Sequence, residues 1–369
     1  MKKIIISANT SWYIYNFRAN TIAMLKNIGY EVYVVAPRDS YSKKFKLMGA
    51  EYVEINLVSD STNPINELRS LHSFFSIYKT ILPSIALHFT PKNNIYGTIA
   101  SKFLGIKVIN NISGLGVMKK KNLFFQGFIN FLYLSQNFAD YIFFQNKNDK
   151  KAIQPLIINK KKLELIPGSG VDLSRFPYKQ SQKQNKRVKF LLFSRLIKEK
   201  GVYEYVASAK YIKKKFKNQV EFGLLGFIDE SNHNSIKLSE IKDWESKGLI
   251  NYYGVSDNVK EYIEDSDCII LPSFYGEGTP KSLLEALAIG RPIITTKIPG
   301  CNDVVENNEN GFLCTPESSE SLTKEILRFL SLPIEKRAQM GMKSRKKAEN
   351  EFDEKFVLKK YLDAIEDLS

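Results

Sequence analysis

Short, uninterrupted apolar runs, each followed by a longer segment of helical spacing, recur along the whole chain. Lys3–Ala8, Val32–Ala36, Tyr52–Ile55, Ile85–Phe89, Lys107–Asn110 and Tyr141–Gln145 read as strands in the first half. Asn16–Ile28, Asn66–Ile81 and Ile95–Leu104 read as helices between them. The pattern restarts with Val188–Phe193, Val220–Leu225, Ile250–Tyr253, Cys268–Leu271, Pro292–Thr295 and Gly311–Cys314. Strands without polar alternation are buried on both faces, and strand–helix alternation makes their sheets parallel. An α/β chain of two doubly wound units follows. With 369 residues, of which 43% are hydrophobic and 25% charged, there is material for two cores. The polar stretch YKQSQKQNK marks a connection. The expected divisions are 1–177, a linker at 178–187, a second domain at 188–351, and an amphipathic last helix within 352–369.

The formal charge of +15 is unevenly placed. Residues 1–185 hold 25 Lys+Arg against 10 Asp+Glu, and the remainder holds 29 of each. The excess predicts an anionic partner for the first half. No helix-turn-helix, zinc-finger or RNA-recognition signature accompanies it, so a nucleic-acid-binding protein is the weaker rival. The glycine fingerprint of a nicotinamide dehydrogenase is missing after the first strand. Cys268, Cys301 and Cys314 are odd in number and not closely spaced, which suits a reducing compartment and argues against a metal cage. The N-terminus has no cleavage-site pattern, and no run approaches the 18 or so apolar residues that span a bilayer. The expected location is cytoplasmic, peripheral on the inner face of the cytoplasmic membrane.

In open parallel sheets, ligands bind beyond the carboxyl ends of the strands. After Val188–Phe193 comes SRLIKEKG, which puts Arg195 and Lys200 at a strand-to-helix turn. A guanidinium fork and an ammonium suit a diphosphate. The same residues also describe a solvated turn with two surface cations. After Cys268–Leu271 comes PSFYGEGTPKSLLEALAIGRP, in which Thr279 is the expected helix cap and Pro280 its first turn. Amides at that helix start favour negative charge. Gly276 and Gly278 allow close backbone approach. Glu277 and Glu285 are carboxylates able to accept hydrogen bonds from paired sugar hydroxyls; an ordinary loop charge and helix glutamate are the alternatives. Asp265-Ser266-Asp267 imitates a metal-binding triplet but precedes its strand, at the end away from ligands. A metal requirement is therefore not expected.

Arg195, Lys200–Gly201, Glu277 and Glu285, in this order and spacing, resemble the retaining glycosyltransferases of family 4. The resemblance implies a GT-B fold: two Rossmann-like domains facing across a cleft, with the last helix crossing back to the first domain. It implies that Arg195 and Lys200 bind the donor diphosphate, that Glu277 contacts the donor sugar and that Glu285 holds the ribose. It sets Gly278, Thr279, Pro280 and Lys281 in the donor site and places the base at Val255 and Ser256. SWYIYNFR and SGLG are similar to bacterial enzymes that add a hexose or N-acetylhexosamine, N-acetylgalactosamine especially, to polyprenyl-diphosphate-linked glycans. A UDP-sugar donor, an undecaprenyl-diphosphate acceptor, no cofactor, and a place in O-antigen, capsule or glycoprotein-glycan assembly are what this similarity implies. Two features depart from the family. The first loop, Asn9–Tyr15, has no glycine pair, and the loop NISGLG has no histidine, leaving Ser113 and Gly114 there on the acceptor side. Another GT-B nucleotide-sugar enzyme, such as an epimerase, is the nearer rival.

Arg18, beside the first loop, is read either as meeting an acceptor diphosphate or as a surface cation. Lys119–Lys121 precede NLFFQGFINFLYLSQNF, whose apolar arc is wider than one core face requires. That segment is read either as a helix entering an anionic membrane interface or as one buried on nearly all sides. Lys160–Lys162 and Lys213–Lys215 are read as solvated turns or helix faces.

Overall fold

The computed structural model describes residues 1–57, 63–114, 133–180, 187–229, 232–276 and 278–369. Glu277, Lys119–Lys121, most of the apolar segment that follows them, and residues 181–186 of the expected linker lie outside the described residues. The chain divides into two units: Met1–Ser169 with Lys355–Ser369, and Gly170–Glu354.

Unit 1 contains strands β1 (Lys3–Ser7), β2 (Glu31–Ala36), β3 (Glu51–Glu54), β4 (Ile85–Phe89), β5 (Lys107–Ile112), β6 (Tyr141–Phe144) and β7 (Leu163–Leu165). They form a parallel sheet of order β3-β2-β1-β4-β5-β6-β7. The period-2 alternation of a strand sends neighbouring side chains to opposite faces. Ile4, Ile6, Val32 and Val34 pack on one side with the helix Ser11–Asn27, while Ile5, Val35 and Ala86 pack on the other with Phe74 and Tyr78 of the helix Pro64–Ile81. Every apolar residue of β1 is therefore in a core, which explains its unbroken hydrophobic run. The three-residue β7 was not anticipated; it follows the polar run Lys160–Lys162 and is itself interrupted by Glu164, so it carries too little pattern to register.

The helix Glu354–Leu368 belongs almost entirely to unit 1. Val357, Tyr361, Ala364 and Ile365 are its buried stripe, spaced for one helix face, and they close the same core as Ile4 and Ile6. Asn111 Nδ2 donates to Tyr361 Oη at 2.7 Å.

Unit 2 contains β8 (Val188–Phe193), β9 (Val220–Leu225), β10 (Asn251–Tyr252), β11 (Cys268–Leu271), β12 (Ile293–Thr296) and β13 (Gly311–Cys314), a parallel sheet of order β10-β9-β8-β11-β12-β13. Phe190, Leu192 and Ile270 face one core, and Leu191, Phe193 and Leu271 the other.

The division between the units falls earlier than residue 177 because the chain is already fastened to unit 2 there. Val171 makes an isolated bridge with Asp353: its N–H donates to Phe352 O and its carbonyl accepts from Glu354 N. Arg291, only 1% exposed, donates to the carbonyls of Lys179, Ile263 and Glu264. Arg345 donates to Phe176 O and Ala288 O. Arg291 thus satisfies a carbonyl within the stretch 178–187 that composition alone reads as linker, and Arg345 one just before it.

Candidate active site

The carboxyl ends of β8 and β11, neighbours in the sheet, bring two loops together. After β8 the chain makes a single 3-10 turn, Lys198–Lys200, and Gly201 follows with φ +75° as the N-cap of the helix Val202–Phe216. A Cβ at Gly201 would lie 2.2 Å from Pro272 O, so glycine is needed for both the dihedral and the approach of the β11 loop. The carbonyl of Glu199 accepts from Ser273 Oγ, Phe274 N and Tyr275 N at 3.1, 2.9 and 3.2 Å. Its Oε1 accepts from Asn234 Nδ2 at 2.5 Å. One residue, Glu199, therefore fastens the cation-bearing turn to two neighbouring loops.

Arg195 is half-buried and Lys200 only 8% exposed. Both stand over the ring of Tyr275, with Arg195 Cζ 6.0 Å and Lys200 Nζ 5.5 Å from its centroid. A solvated turn with two loose surface cations does not describe this arrangement. The sequence pattern singled out the cations but missed Glu199, Ser273 and Tyr275. Glu199 acts chiefly through its main-chain carbonyl, which leaves no residue-type signal.

Beyond the β11 loop, Gly278, Thr279 and Pro280 are buried and the helix Lys281–Ile289 begins. Thr279 is not its cap. Pro280 occupies the N-cap position with extended backbone (φ −61°, ψ +123°) and has no side-chain cap hydrogen bond to give. Pro280 supplies no N–H to the turn, and the helix start lies one residue later than expected. Its first amides remain at the carboxyl end of the sheet, where a helix N-terminus favours anions.

Glu285, on this helix, is 7% exposed. Burial pushes its carboxyl above the usual carboxylate range, against the opposing pull of Lys281 and Arg175. A raised folded value means that the folded state holds the proton more tightly. The corresponding stability is complete below the ordinary value of 4.5 and is lost as pH rises through the folded one. Glu285→Gln stays neutral throughout. Its melting temperature is expected to exceed that of the parent at pH 7, with the gap closing by pH 4. An equal gap at both pH values would show that the charge is not the cause.

Val255 and Ser256 sit beyond β10 at the sheet edge. Gly254 has φ +70° and its carbonyl accepts from Gly226 N at 2.8 Å, linking the loops after β9 and β10. Val255 is 68% exposed, and Ser256 Oγ accepts from Asn258 N at 3.0 Å. The triplet Asp265-Ser266-Asp267 lies at the amino-terminal end of β11. Asp265 pairs with Lys189 Nζ at 2.7 Å and Asp267 accepts from Lys189 N at 2.8 Å.

In unit 1, Ser113 and Gly114 follow β5 and are half-buried, with Gly114 at φ +112°. Arg18 is neither a loop residue nor a surface cation. It lies within the helix Ser11–Asn27, is 1% exposed, and places its guanidinium carbon 4.2 Å from the Phe89 ring centroid and 5.8 Å from that of Tyr361. Aromatic faces from β4 and from the last helix attract the guanidinium, a surrounding invisible in the local stretch NFRAN. His88 is fully buried on β4 between Tyr78 Oη (2.9 Å) and Asn110 Oδ1 (2.8 Å), and burial lowers its pKa to about 4.

Two similar parallel sheets, each covered by helices, are the architecture of the GT-B fold. Residues 175–347 match the family Glycosyl transferases group 1, and the chain is a glycosyltransferase. It is 28% identical over 367 residues to the N,N'-diacetylbacillosaminyl-diphospho-undecaprenol alpha-1,3-N-acetylgalactosaminyltransferase of Campylobacter jejuni, covering 95% of this chain and 94% of that one. It is 24% identical over 363 residues to the UDP-Gal:alpha-D-GlcNAc-diphosphoundecaprenol alpha-1,3-galactosyltransferase of Escherichia coli, covering 88% and 91%. Among solved structures, Anabaena Alr3699/HepE in complex with UDP-glucose is similar in fold, with a TM-score of 0.78 at 15% identity over the full length of both chains.

Proposed function

We propose that this enzyme moves a hexose or N-acetylhexosamine from a UDP-sugar to an undecaprenyl-diphosphate-linked glycan, with retention at the anomeric carbon, in O-antigen, capsule or glycoprotein-glycan assembly. The observation that carries the reading is the pair Arg195 and Lys200, half-buried and buried respectively, held on the Tyr275 ring at the same sheet edge as the start of the helix Lys281–Ile289. Fixed cations and amides stabilise charge as it develops on a departing diphosphate. The printed activities of the Campylobacter and Escherichia relatives support the acceptor class and, for the second, the UDP donor.

In this mechanism the bond from the sugar's anomeric carbon to the phosphate oxygen breaks while Arg195, Lys200 and the amides of the helix Lys281–Ile289 take up the negative charge. The freed phosphate oxygen receives the proton of the incoming acceptor hydroxyl, which bonds to the anomeric carbon from the same face. No side chain is assigned as a covalent nucleophile. Glu285 holds the ribose, Val255 and Ser256 the base, and Glu277 the donor sugar. Ser113, Gly114 and Arg18 are kept as acceptor-side residues, Arg18 from a buried position within its helix.

The reaction needs no metal in this reading: the triplet Asp265-Ser266-Asp267 stands at the amino-terminal end of β11, where Asp265 and Asp267 engage Lys189. Activity is expected to survive excess chelator; complete loss restored by manganese would overturn this. Among the described residues no helix is long and apolar enough to cross a membrane, and the basic excess of the first half favours attachment to the anionic inner face of the cytoplasmic membrane. A panel of nucleotide sugars offered with a short lipid-diphosphate acceptor tests the whole reading. A glycosylated lipid of the added hexose or hexosamine mass, with its anomeric configuration preserved, is the expected product. No transfer from any member of the panel would refute it.

A further inference from the structure

We propose that Tyr275 is a positioning residue for the donor diphosphate, its ring face holding Arg195 and Lys200 at a fixed spacing. The proposal rests on the donor-site reading above. Two cations set near one ring repel each other, and an attractive aromatic face offsets part of that repulsion. The π face of Tyr275 does so: Lys200 Nζ and Arg195 Cζ lie 5.5 and 6.0 Å from its centroid, within the range in which the ring quadrupole attracts a cation. The ring itself is fixed from behind. Tyr275 N donates to Glu199 O and to Ser273 Oγ, each at 3.2 Å, and the carbonyl of Ser273 accepts from Thr296 Oγ1 of β12. Because Glu199 lies between the two cations in sequence, the loop that carries the ring and the turn that carries Lys200 are hydrogen-bonded together.

A ring face occupies only one side of a cation. An ammonium has three donors, and a guanidinium directs its five N–H groups outward within its own plane. Both groups can therefore keep the ring and still donate to oxyanions. The diphosphate then meets cations already in place, and less side-chain freedom is lost on binding. Removing the ring should weaken binding of the diphosphate in donor and product alike, and should leave the chemical step less affected.

The test measures UDP affinity by calorimetry, with KM and kcat for the nucleotide sugar, in Tyr275→Ala, Tyr275→Leu, Tyr275→Phe and Lys200→Ala, each checked for folding by thermal melting. Loss of one or two cation–π contacts is expected to weaken UDP binding roughly five- to tenfold in Tyr275→Ala, with donor KM rising in step and kcat falling less. Tyr275→Leu, which keeps apolar bulk without a π face, should match Tyr275→Ala, and Tyr275→Phe should recover most of the affinity. Parental affinity in the Ala or Leu variant would overturn the proposal, as would a Phe variant as weak as Ala. Should Lys200→Ala itself bind UDP normally, the donor-site reading fails. Should Lys200→Ala bind weakly while Tyr275→Leu binds like the parent, only the role of Tyr275 fails.

Discussion

Lys200→Ala is expected to lower turnover by roughly a hundredfold or more while leaving the fold intact. Loss of one preorganised group aimed at developing charge typically has an effect of about that size. Lys200 fits such a role better than an exposed lysine would, because its surroundings are low in water and its position is fixed. It is 8% exposed, it closes a 3-10 turn, and the following Gly201 packs so near the β11 loop that a Cβ there would meet Pro272 O. Reduced water around a charge strengthens its interaction with an anion. Steady-state kinetics at saturating donor, with circular dichroism to establish folding, provide the check. A folded variant with near-parental turnover would remove Lys200 from the mechanism. Arginine at this position should restore only part of the rate, since a planar fork does not replace a compact ammonium.

The largest stability effect is expected at Tyr361. Its ring is fully buried, edge-on to Phe143 at 5.0 Å and to Phe89 at 6.1 Å, and it faces the guanidinium of Arg18. Truncating a buried aromatic to alanine typically costs about 3–5 kcal/mol, and here it also strips one aromatic face from a buried cation. Tyr361→Ala should shift the urea transition of unit 1 by about that amount. Tyr361→Phe removes only the acceptor of the Asn111 hydrogen bond and should cost about 1–3 kcal/mol, the range for leaving a buried donor unsatisfied. The transition of unit 2 should stay in place in both variants, because no atom of Tyr361 lies in its core. A Tyr361→Ala protein within about 1 kcal/mol of the parent would mean that the last helix is not integral to unit 1.

Strands were most legible where burial is complete. Val188–Phe193, Val220–Leu225, Cys268–Leu271 and Gly311–Cys314 have the same bounds in sequence pattern and structure, since each is an apolar run ended by a turn. The edge strand β10 is shorter than its apolar pattern, Asn251–Tyr252 against Ile250–Tyr253. At the site, the cations were visible because charge at a strand exit is conspicuous. Tyr275 was not, because an aromatic residue in a glycine-rich loop carries no periodicity. Thr279 was misplaced by one residue because capping chemistry was assigned to a threonine whose neighbour, Pro280, has the extended backbone that the N-cap position adopts. The burial of Arg18 was not legible for a different reason: the aromatic rings beside it come from distant parts of the chain.

That the helix Glu354–Leu368 completes unit 1 has a consequence for synthesis on the ribosome. All of unit 2 is translated before residues 355–369, so the first-made sheet waits with the seat of Tyr361 and Ile365 uncovered while a whole second unit emerges and folds. Nascent chains halted before residue 355 should therefore display greasy surface from their older half, making them natural clients for a chaperone and a vulnerable target for proteases.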